Sequence, residues 1–190
     1  MSLTPALEAR GLRRQQRGRW VLDGVDLSVA HGEVVGLLGA NGAGKSTLLL
    51  VCAGLRRCEG TVSVSGGLGW AGDLGAVDRT VRQVLGLLVG LHGQGDVEEA
   101  MERLGLPDGP AEALSAGERR RLGLACATVH APQVLLLDEP LTHLDAEGMA
   151  RVVALIEAER ARGAGLLVAT HHPEALPLDR TVTLAEGRLC

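Results

Sequence analysis

The residues at positions 39–47, with the sequence GANGAGKST, restrict the possible folds of this chain more than any other segment. They fit the pattern G-x-x-x-x-G-K-[ST] and stand between an apolar run at 32–38 and a stretch of helical character at 45–55. The glycines let successive backbone N–H groups point at phosphate oxygens, and the helix N-terminus adds the positive end of its dipole. A glycine-rich turn with a solvated lysine is the alternative, but the flanking strand and helix favour a phosphate-binding loop.

The last residues of this loop include two side chains whose chemistry suits a nucleoside triphosphate and its metal ion. Lys45 can reach the β- and γ-phosphates, and the hydroxyl of Ser46 can bind Mg²⁺. The residues expected to bind the nucleotide here are Gly39, Asn41, Gly42, Ala43, Gly44, Lys45, Ser46 and Thr47.

Strand-like and helix-like segments alternate along much of the chain. Strands are expected at 20–30, 32–38, 61–65, 134–137 and 166–169. Helices are expected at 45–55, 81–91, 97–104, from 116 to 128 or 129, and at 147–162. Apolar strands separated by helices indicate a parallel sheet that is covered on both faces. The segment from about 75 to 130 is almost entirely helical and predicts a separate helical lobe.

Composition narrows the class of function. The aromatic residues are Trp20 and Trp70 alone, which disfavours proteins that stack successive bases of single-stranded nucleic acid on aromatic rings. The net charge of −4 gives no general attraction to polyanions. Four scattered cysteines without C-x-x-C spacing indicate reduced thiols in a cytosolic protein rather than a disulfide framework or a zinc site. No signal-peptide pattern is present, and the longest apolar runs, 48–55 and 84–91, are too short to cross a bilayer.

A second motif, VLLLDEP at 134–140, is an apolar strand that ends in two carboxylates. Asp138 at the strand tip is placed to hold Mg²⁺, directly or through water. Glu139 would then lie beside the γ-phosphate, where it could polarise an attacking water. Taken alone, the motif also fits a strand that meets solvent at an acidic turn. The phosphate-binding loop elsewhere in the chain favours the catalytic interpretation.

A third motif, LSAGE at 114–118, opens a predicted helix. The spacing S-x-x-E is also that of an ordinary capping box, in which Ser115 caps the helix and Glu118 reaches back to it. The three arginines that follow, at 119–121, are typical of a solvated basic face. On its own, this segment is best explained as a helix start.

Together, these motifs resemble those of the ATP-binding subunits of ATP-binding-cassette (ABC) transporters. The family order is kept by the loop at 39–47, the signature at 114–118, the acidic strand end at 134–140, the segment LTHLD at 141–145 and the pair at 170–171. The resemblance extends over residues 7–187. It implies that two subunits sandwich the nucleotide, with Ser115 and Gly117 of one copy touching the γ-phosphate held by the other.

The same resemblance gives His171 the role of a switch histidine that links the γ-phosphate, the attacking water and the partner subunit's Asp145. An exposed turn histidine is the alternative, and that is the role expected of the neighbouring His172. A narrower resemblance rests on LSAGERRRL at 114–122, CEGTVSVSGGLGW at 58–70 and the frame Trp70-Ala71-Gly72. These segments are similar to the ATP-binding subunit of the bacterial haem exporter used in cytochrome c maturation.

Three positions depart from the family pattern. The family's glutamine, which contacts Mg²⁺ and the transmembrane partner, has no counterpart in WAGDL at 70–74. Asp73 is the nearest polar candidate, and the alignment can instead place Leu74 there. The fifth signature residue is Glu118 rather than glutamine, a mild change because this side chain mainly caps the helix.

The third departure concerns the base. The family stacks the adenine on an early aromatic residue, but Gln16, Arg17 and Gly18 stand around that position. There are three alternatives for the adenine: it stacks on Trp20 from a shifted register, it stacks on the plane of an arginine, or its contact with the protein is weak. For Trp20, a strand residue packed on the core is the favoured interpretation.

The sequence therefore predicts an α/β fold of the P-loop NTPase class and ABC type. It would have a mainly parallel core sheet, an N-terminal antiparallel β part and a small helical lobe. One nucleotide-binding domain is expected over residues 1–190, with the core sheet at about 1–72 and 131–190 and the lobe at about 73–130.

The expected activity is hydrolysis of ATP with Mg²⁺, catalysed by Glu139, His171 and Lys45, with Ser46 and Asp138 holding the metal. The expected partners are a second ATP-binding subunit, in a homodimer, and integral membrane permease subunits, with no nucleic acid. The chain would lie at the cytoplasmic face of the cell membrane as a peripheral subunit that powers export, with haem as the narrower hypothesis. A soluble ABC ATPase of translation or repair, a small GTPase or kinase, and a non-hydrolysing regulatory subunit are the alternatives.

Overall fold

The computed structural model describes residues 4–72, 75 and 78–190. Its strands are β1 (Leu7–Gln16), β2 (Arg19–Val29), β3 (Val34–Leu38), β4 (Glu59–Val64), β5 (Leu68–Ala71), β6 (Val134–Asp138), β7 (Gly165–Ala169), β8 (Arg180–Ala185) and β9 (Arg188–Leu189). Its α-helices are α1 (Lys45–Cys52), α2 (Val81–His92), α3 (Val97–Leu104), α4 (Ala116–Thr128) and α5 (Ala146–Ala161). Short 3₁₀ turns occupy Ala111–Ala113 and Pro173–Ala175.

The strands of the described residues form two sheets. The larger has the strand order β5-β6-β7-β3-β8-β9 and is parallel except for β9, which runs antiparallel to β8. The smaller has the order β2-β1-β4 and is antiparallel. The predicted fold class, a mainly parallel core with an N-terminal antiparallel part, is confirmed.

The core sheet is buried on both faces because successive side chains of a strand point to opposite sides. In β6, Leu135 and Leu137 face a cluster shared with α2, α3, α4 and α5. Val134 and Leu136 face a second cluster shared with α1 and the antiparallel sheet. The unbroken apolar sequence of this strand follows from that arrangement.

The predicted elements are present with small differences at their ends, and the structure adds four strands to them. The helix expected at 45–55 ends at Cys52, because the chain turns at Gly54, where φ is +72°. The strands β1, β5, β8 and β9 were not predicted from periodicity. The helices α2, α3 and α4 follow one another between β5 and β6, in the segment for which a helical lobe is predicted. In the part of the chain that is described, no helix has the length and apolar character required to cross a membrane.

Candidate active site

An open cavity of about 470 Å³ lies where β3 and β6 end at the carboxyl edge of the core sheet. Ligands of open α/β sheets bind at this edge, beyond the carboxyl ends of the strands. The residues of the predicted nucleotide-binding set that line the cavity are Asn41, Gly42, Gly44, Lys45, Ser46 and Thr47. Gly39 and Ala43 instead border a neighbouring cavity, on the side of the loop that faces the end of β8. Asp138, Glu139 and His171 complete the site from the ends of β6 and β7.

The loop can take this path because Gly44 has no side chain. Its φ is +109°, and a Cβ atom there would lie 2.8 Å from Cγ1 of Val21 and 2.9 Å from its carbonyl oxygen. The close approach packs the start of α1 against β2. No side chain caps α1, and its first turn contains no acidic residue. The N–H groups of that turn are therefore left for an anionic ligand, in a field that favours negative charge.

Lys45 lies across the loop rather than in solvent. Only 7% of the residue is exposed, and its Nζ donates to the carbonyl of Gly39 at 2.8 Å and approaches that of Ala40 at 3.5 Å. The same nitrogen lies 3.1 Å from Nε2 of His171. The ammonium group is thus fixed at the centre of the site, as binding of terminal phosphates requires.

Glu139 and His171 are brought together by neighbouring strands. Nε2 of His171 lies 3.3 Å from Oε1 of Glu139, and the backbone N–H of His171 donates to Oε2 at 3.3 Å. Nε2 is placed to accept a hydrogen bond from Lys45, and the buried Oε1 of Glu139 has no hydrogen-bond partner in the described chain. The imidazole of His171 therefore lies between a candidate base, Glu139, and a fixed cation, Lys45.

The oxygen donors that border the cavity fit Mg²⁺. The Ser46 hydroxyl and the Asp138 carboxylate are hard ligands of the kind that this ion prefers. Within residues 4–72, 75 and 78–190, no group of three or more His, Cys, Asp or Glu side chains could hold a metal alone. Such an ion would need phosphate oxygens and water to complete its shell, as Mg²⁺ commonly does beside nucleotides.

Ser115, Gly117 and Asp145 do not line this cavity. Ser115 and Glu118 form the full capping box of α4, with N–H···O distances of 3.2 and 2.8 Å. Asp145 caps α5 by accepting a hydrogen bond from the N–H of Gly148 at 2.7 Å. An aspartate directly before a helical pattern is a common capping residue, so the sequence contained a signal for this role. A Cβ on Gly117 would lie 2.8 Å from the carbonyl oxygen of His143. These residues therefore form a second group, where the start of α4 meets the segment leading into α5.

Gln16 of β1 and Val21 of β2 also border the cavity, near the position where the family's early aromatic residue is expected. Trp20 borders the neighbouring cavity, with the guanidinium carbon of Arg13 lying 5.2 Å from the centre of its ring. At 42% exposure, Trp20 is not packed in the core, so that interpretation was wrong. Asp73 and Leu74, the candidates for the missing glutamine, lie outside the described residues.

The arginine run after the signature is only in part the solvated face that its sequence predicts, because Arg119 is exposed whereas Arg120 and Arg121 are half-buried. All three guanidinium groups donate to backbone carbonyls: Arg119 to Leu114, Arg120 to Asp138, and Arg121 to Leu104 and Gly105. Each of these contacts spans from 5 to 18 residues, so periodicity along the helix could not reveal it.

Comparison with known proteins matches the chain to one family. The family described as ABC transporter matches residues 22–142. The cytochrome c biogenesis ATP-binding export protein CcmA of Gluconobacter oxydans is 42% identical over 168 residues, which cover 86% of this chain and 79% of that protein. The aliphatic sulfonates import ATP-binding protein SsuB 1 of Burkholderia cenocepacia is 37% identical over 204 residues, covering 97% of this chain but only 62% of the longer relative.

A solved structure, that of a dimeric bacterial ABC transporter cassette, superimposes with a TM-score of 0.85 over 96% of each chain. The sequences are 21% identical, so this likeness concerns the fold.

Proposed function

Because the chain belongs to the ABC transporter family and is one of its ATPase subunits, we propose that its cavity binds Mg-ATP and that hydrolysis there drives a membrane partner. The observation that carries the proposal is that His171 contacts both Lys45 and Glu139 beside the uncapped N-terminus of α1. These side chains come from three separate segments of the sequence. The family's ATPase activity requires a cation, a base and a polar switch at one point, and this contact supplies them.

In the proposed site, the loop amides and Lys45 hold the phosphates. Ser46 and Asp138 would hold Mg²⁺, and the ion would neutralise part of the negative charge on the phosphates. Glu139 orients and polarises the attacking water. His171 contacts both the Glu139 carboxylate and the γ-phosphate, and so keeps the two close to each other. Phosphoryl transfer of this kind depends on positioning and charge stabilisation more than on covalent chemistry.

We propose a head-to-tail homodimer as the active form. Ser115 and Gly117 do not border the cavity of their own chain, which supports a role for them at the nucleotide of a second copy. Ser115 is exposed at the N-terminus of the 13-residue helix α4, where the helix dipole favours a phosphate. Asp145 would meet the partner's His171. Residues 1–190 would form one nucleotide-binding domain, with the core at about 1–72 and 131–190 and the lobe at about 73–130.

The membrane partners would be integral permease subunits, with this chain bound at their cytoplasmic face. Haem export for cytochrome c maturation is the narrower proposal, supported by the similarity to CcmA and by the signature LSAGE. Relatives named for sulfonate import favour a second candidate, uptake of a small anion.

Replacement of Glu139 by glutamine tests the catalytic proposal. We expect phosphate release to fall by at least about 100-fold, because the base is lost while the side chain keeps its shape. ATP binding should persist, and size-exclusion chromatography should then show an ATP-bound dimer. Unchanged turnover in Glu139→Gln would exclude Glu139 as the base, whereas lost turnover without a dimer would contradict the sandwich.

The transport proposal needs a different experiment. The chain should be purified from its own cells in mild detergent, and the membrane chains recovered with it identified. ATP turnover of that complex should rise with haem and not with an alkanesulfonate. The opposite response would assign import of the anion, and recovery without any integral membrane chain would contradict the transporter proposal.

A further inference from the structure

Arg120 reaches across from α4 to the peptide that joins the two carboxylate residues of the site. Its Nη1 donates to the carbonyl oxygen of Asp138 at 3.1 Å. At the other end of the same peptide, the N–H of Glu139 donates to the carbonyl oxygen of Ala169 at 2.9 Å. Both polar atoms of this peptide are therefore held, one by a helix and the other by a neighbouring strand.

The orientation of this peptide matters because it precedes the Cα of Glu139. The φ of Glu139 is +50°, a backbone conformation that a residue with a Cβ rarely adopts. Such a conformation persists only where the surroundings fix it. Rotation of the peptide would move the Glu139 carboxylate away from His171, so the hydrogen bond from Arg120 acts on the position of the base.

The same helix begins at the signature segment. Ser115 caps α4 five residues before Arg120, and Gly117 in its first turn packs against the carbonyl of His143. The adjacent Arg119 donates to Leu114, at the start of its own helix, and does not reach β6. Among the three consecutive arginines, Arg120 is thus the one bound to the carboxylate segment.

We propose that Arg120 is a positioning residue that fixes the peptide between Asp138 and Glu139 and thereby links the signature helix to the carboxylates of the same chain. This inference rests on the proposed function, in which the signature serves the nucleotide of the partner copy. When the partner's nucleotide binds the start of α4 and displaces this helix, Arg120 passes the displacement to Glu139, which serves the other site of the dimer. The two sites of the dimer are coupled as a result.

The test compares Arg120→Met, which keeps the aliphatic stem without donors, with Arg120→Lys, which keeps a donor. Arg119→Met is the matched control on the same helix. Phosphate release is measured against Mg-ATP concentration to give kcat, the half-saturating concentration and the Hill coefficient. We expect Arg120→Met to lower kcat by roughly 10- to 100-fold through misplacement of the base, with half-saturation changed less than about twofold. The Hill coefficient should fall to about 1, Arg120→Lys should recover part of kcat, and Arg119→Met should match the wild type.

Other results would overturn the inference. A kcat for Arg120→Met within about twofold of wild type would remove the positioning role. Equal losses in the Met and Lys variants, together with weaker ATP binding and a lower melting temperature, would show a purely structural role. Failure of the proposed function is distinguishable, because the wild-type protein itself would then show no ATP turnover or no ATP-bound dimer.

Discussion

The Nε2 atom of His171 lies 3.3 Å from Oε1 of Glu139, although 32 residues separate the two in the chain. The contact exists because β6 and β7 are neighbouring parallel strands in which Asp138 pairs with Ala169. Glu139 follows β6 by one position and His171 follows β7 by two. The parallel register therefore places a carboxylate and an imidazole at the same edge of the sheet.

The first prediction concerns this contact. His171→Ala should lower kcat by about 100-fold, because the ring that holds Glu139 beside the phosphates is lost. The half-saturating ATP concentration should change little, since Lys45 and the loop amides still bind the phosphates. His172→Ala is the control, because that side chain borders the same cavity but is 69% exposed and pairs with Glu174 at 3.4 Å rather than with Glu139. Similar kcat values for the two variants, measured by phosphate release, would contradict the role of His171.

The parts of this site that could be predicted from sequence are those encoded by contiguous residues. The phosphate loop lies between a buried strand and a helix, and VLLLDEP is a buried strand ending at carboxylates, as their patterns indicated. The contact of His171 with Glu139 required the resemblance to a family, because a Thr-His pair after a strand has no distinctive local pattern. The hydrogen bond of Arg120 depends on the packing of α4 against β6, which no local pattern encodes.

The second prediction separates the two roles of Ser115. Ser115→Ala should lower the free energy of unfolding by about 1 kcal/mol, because it removes the cap of α4. Ser115→Asn keeps a good capping group and should leave stability within about 0.5 kcal/mol of wild type. Both variants should lose at least about 90% of ATP turnover if the hydroxyl meets the nucleotide of the partner. Urea denaturation and phosphate release measure the two effects, and full activity in Ser115→Asn would leave capping as its sole role.

The third prediction uses two glycines in different surroundings. Gly117→Ala should destabilise the fold by about 1–3 kcal/mol, because the new Cβ would lie 2.8 Å from the carbonyl oxygen of His143. It should also reduce ATP turnover, since it separates the signature from the segment leading into α5. Gly86→Ala lies on the exposed face of α2, with nothing within 4 Å of the added atom. It should stabilise the protein by roughly 0.5–1 kcal/mol and leave turnover unchanged.

The close contact between Gly117 and the His143 carbonyl could not be predicted from the sequence. Gly86 and Gly117 both occur in helical sequence and look alike there. Only the position of the His143 carbonyl, 26 residues further along, makes one of them indispensable. Equal stability of the two variants in urea would contradict the close packing of α4.

The last prediction is a pH dependence that centres on His130. This residue is 5% exposed, its Nε2 lies 3.3 Å from the carbonyl of Leu68, and its ring stacks on that of His92 at 3.9 Å between centres. Burial lowers the pKa of His130 below its usual value of 6.5, and His92 and the nearby Arg162 act in the same direction. As the pH falls through 6.5, the unfolded chain therefore takes up a proton before the folded chain does, and stability is lost until the pH reaches the lower pKa of the folded protein.

The urea midpoint of the wild-type protein should therefore drop between about pH 7.5 and pH 5.5, and the drop should be smaller in His130→Gln. Glutamine can still donate to Leu68, but it does not titrate. His31→Gln, at an exposed position, is the control and should show the same drop as the wild type. If the drop in His130→Gln equals that of the wild type, other groups account for the acid sensitivity and the stacked pair contributes nothing to it.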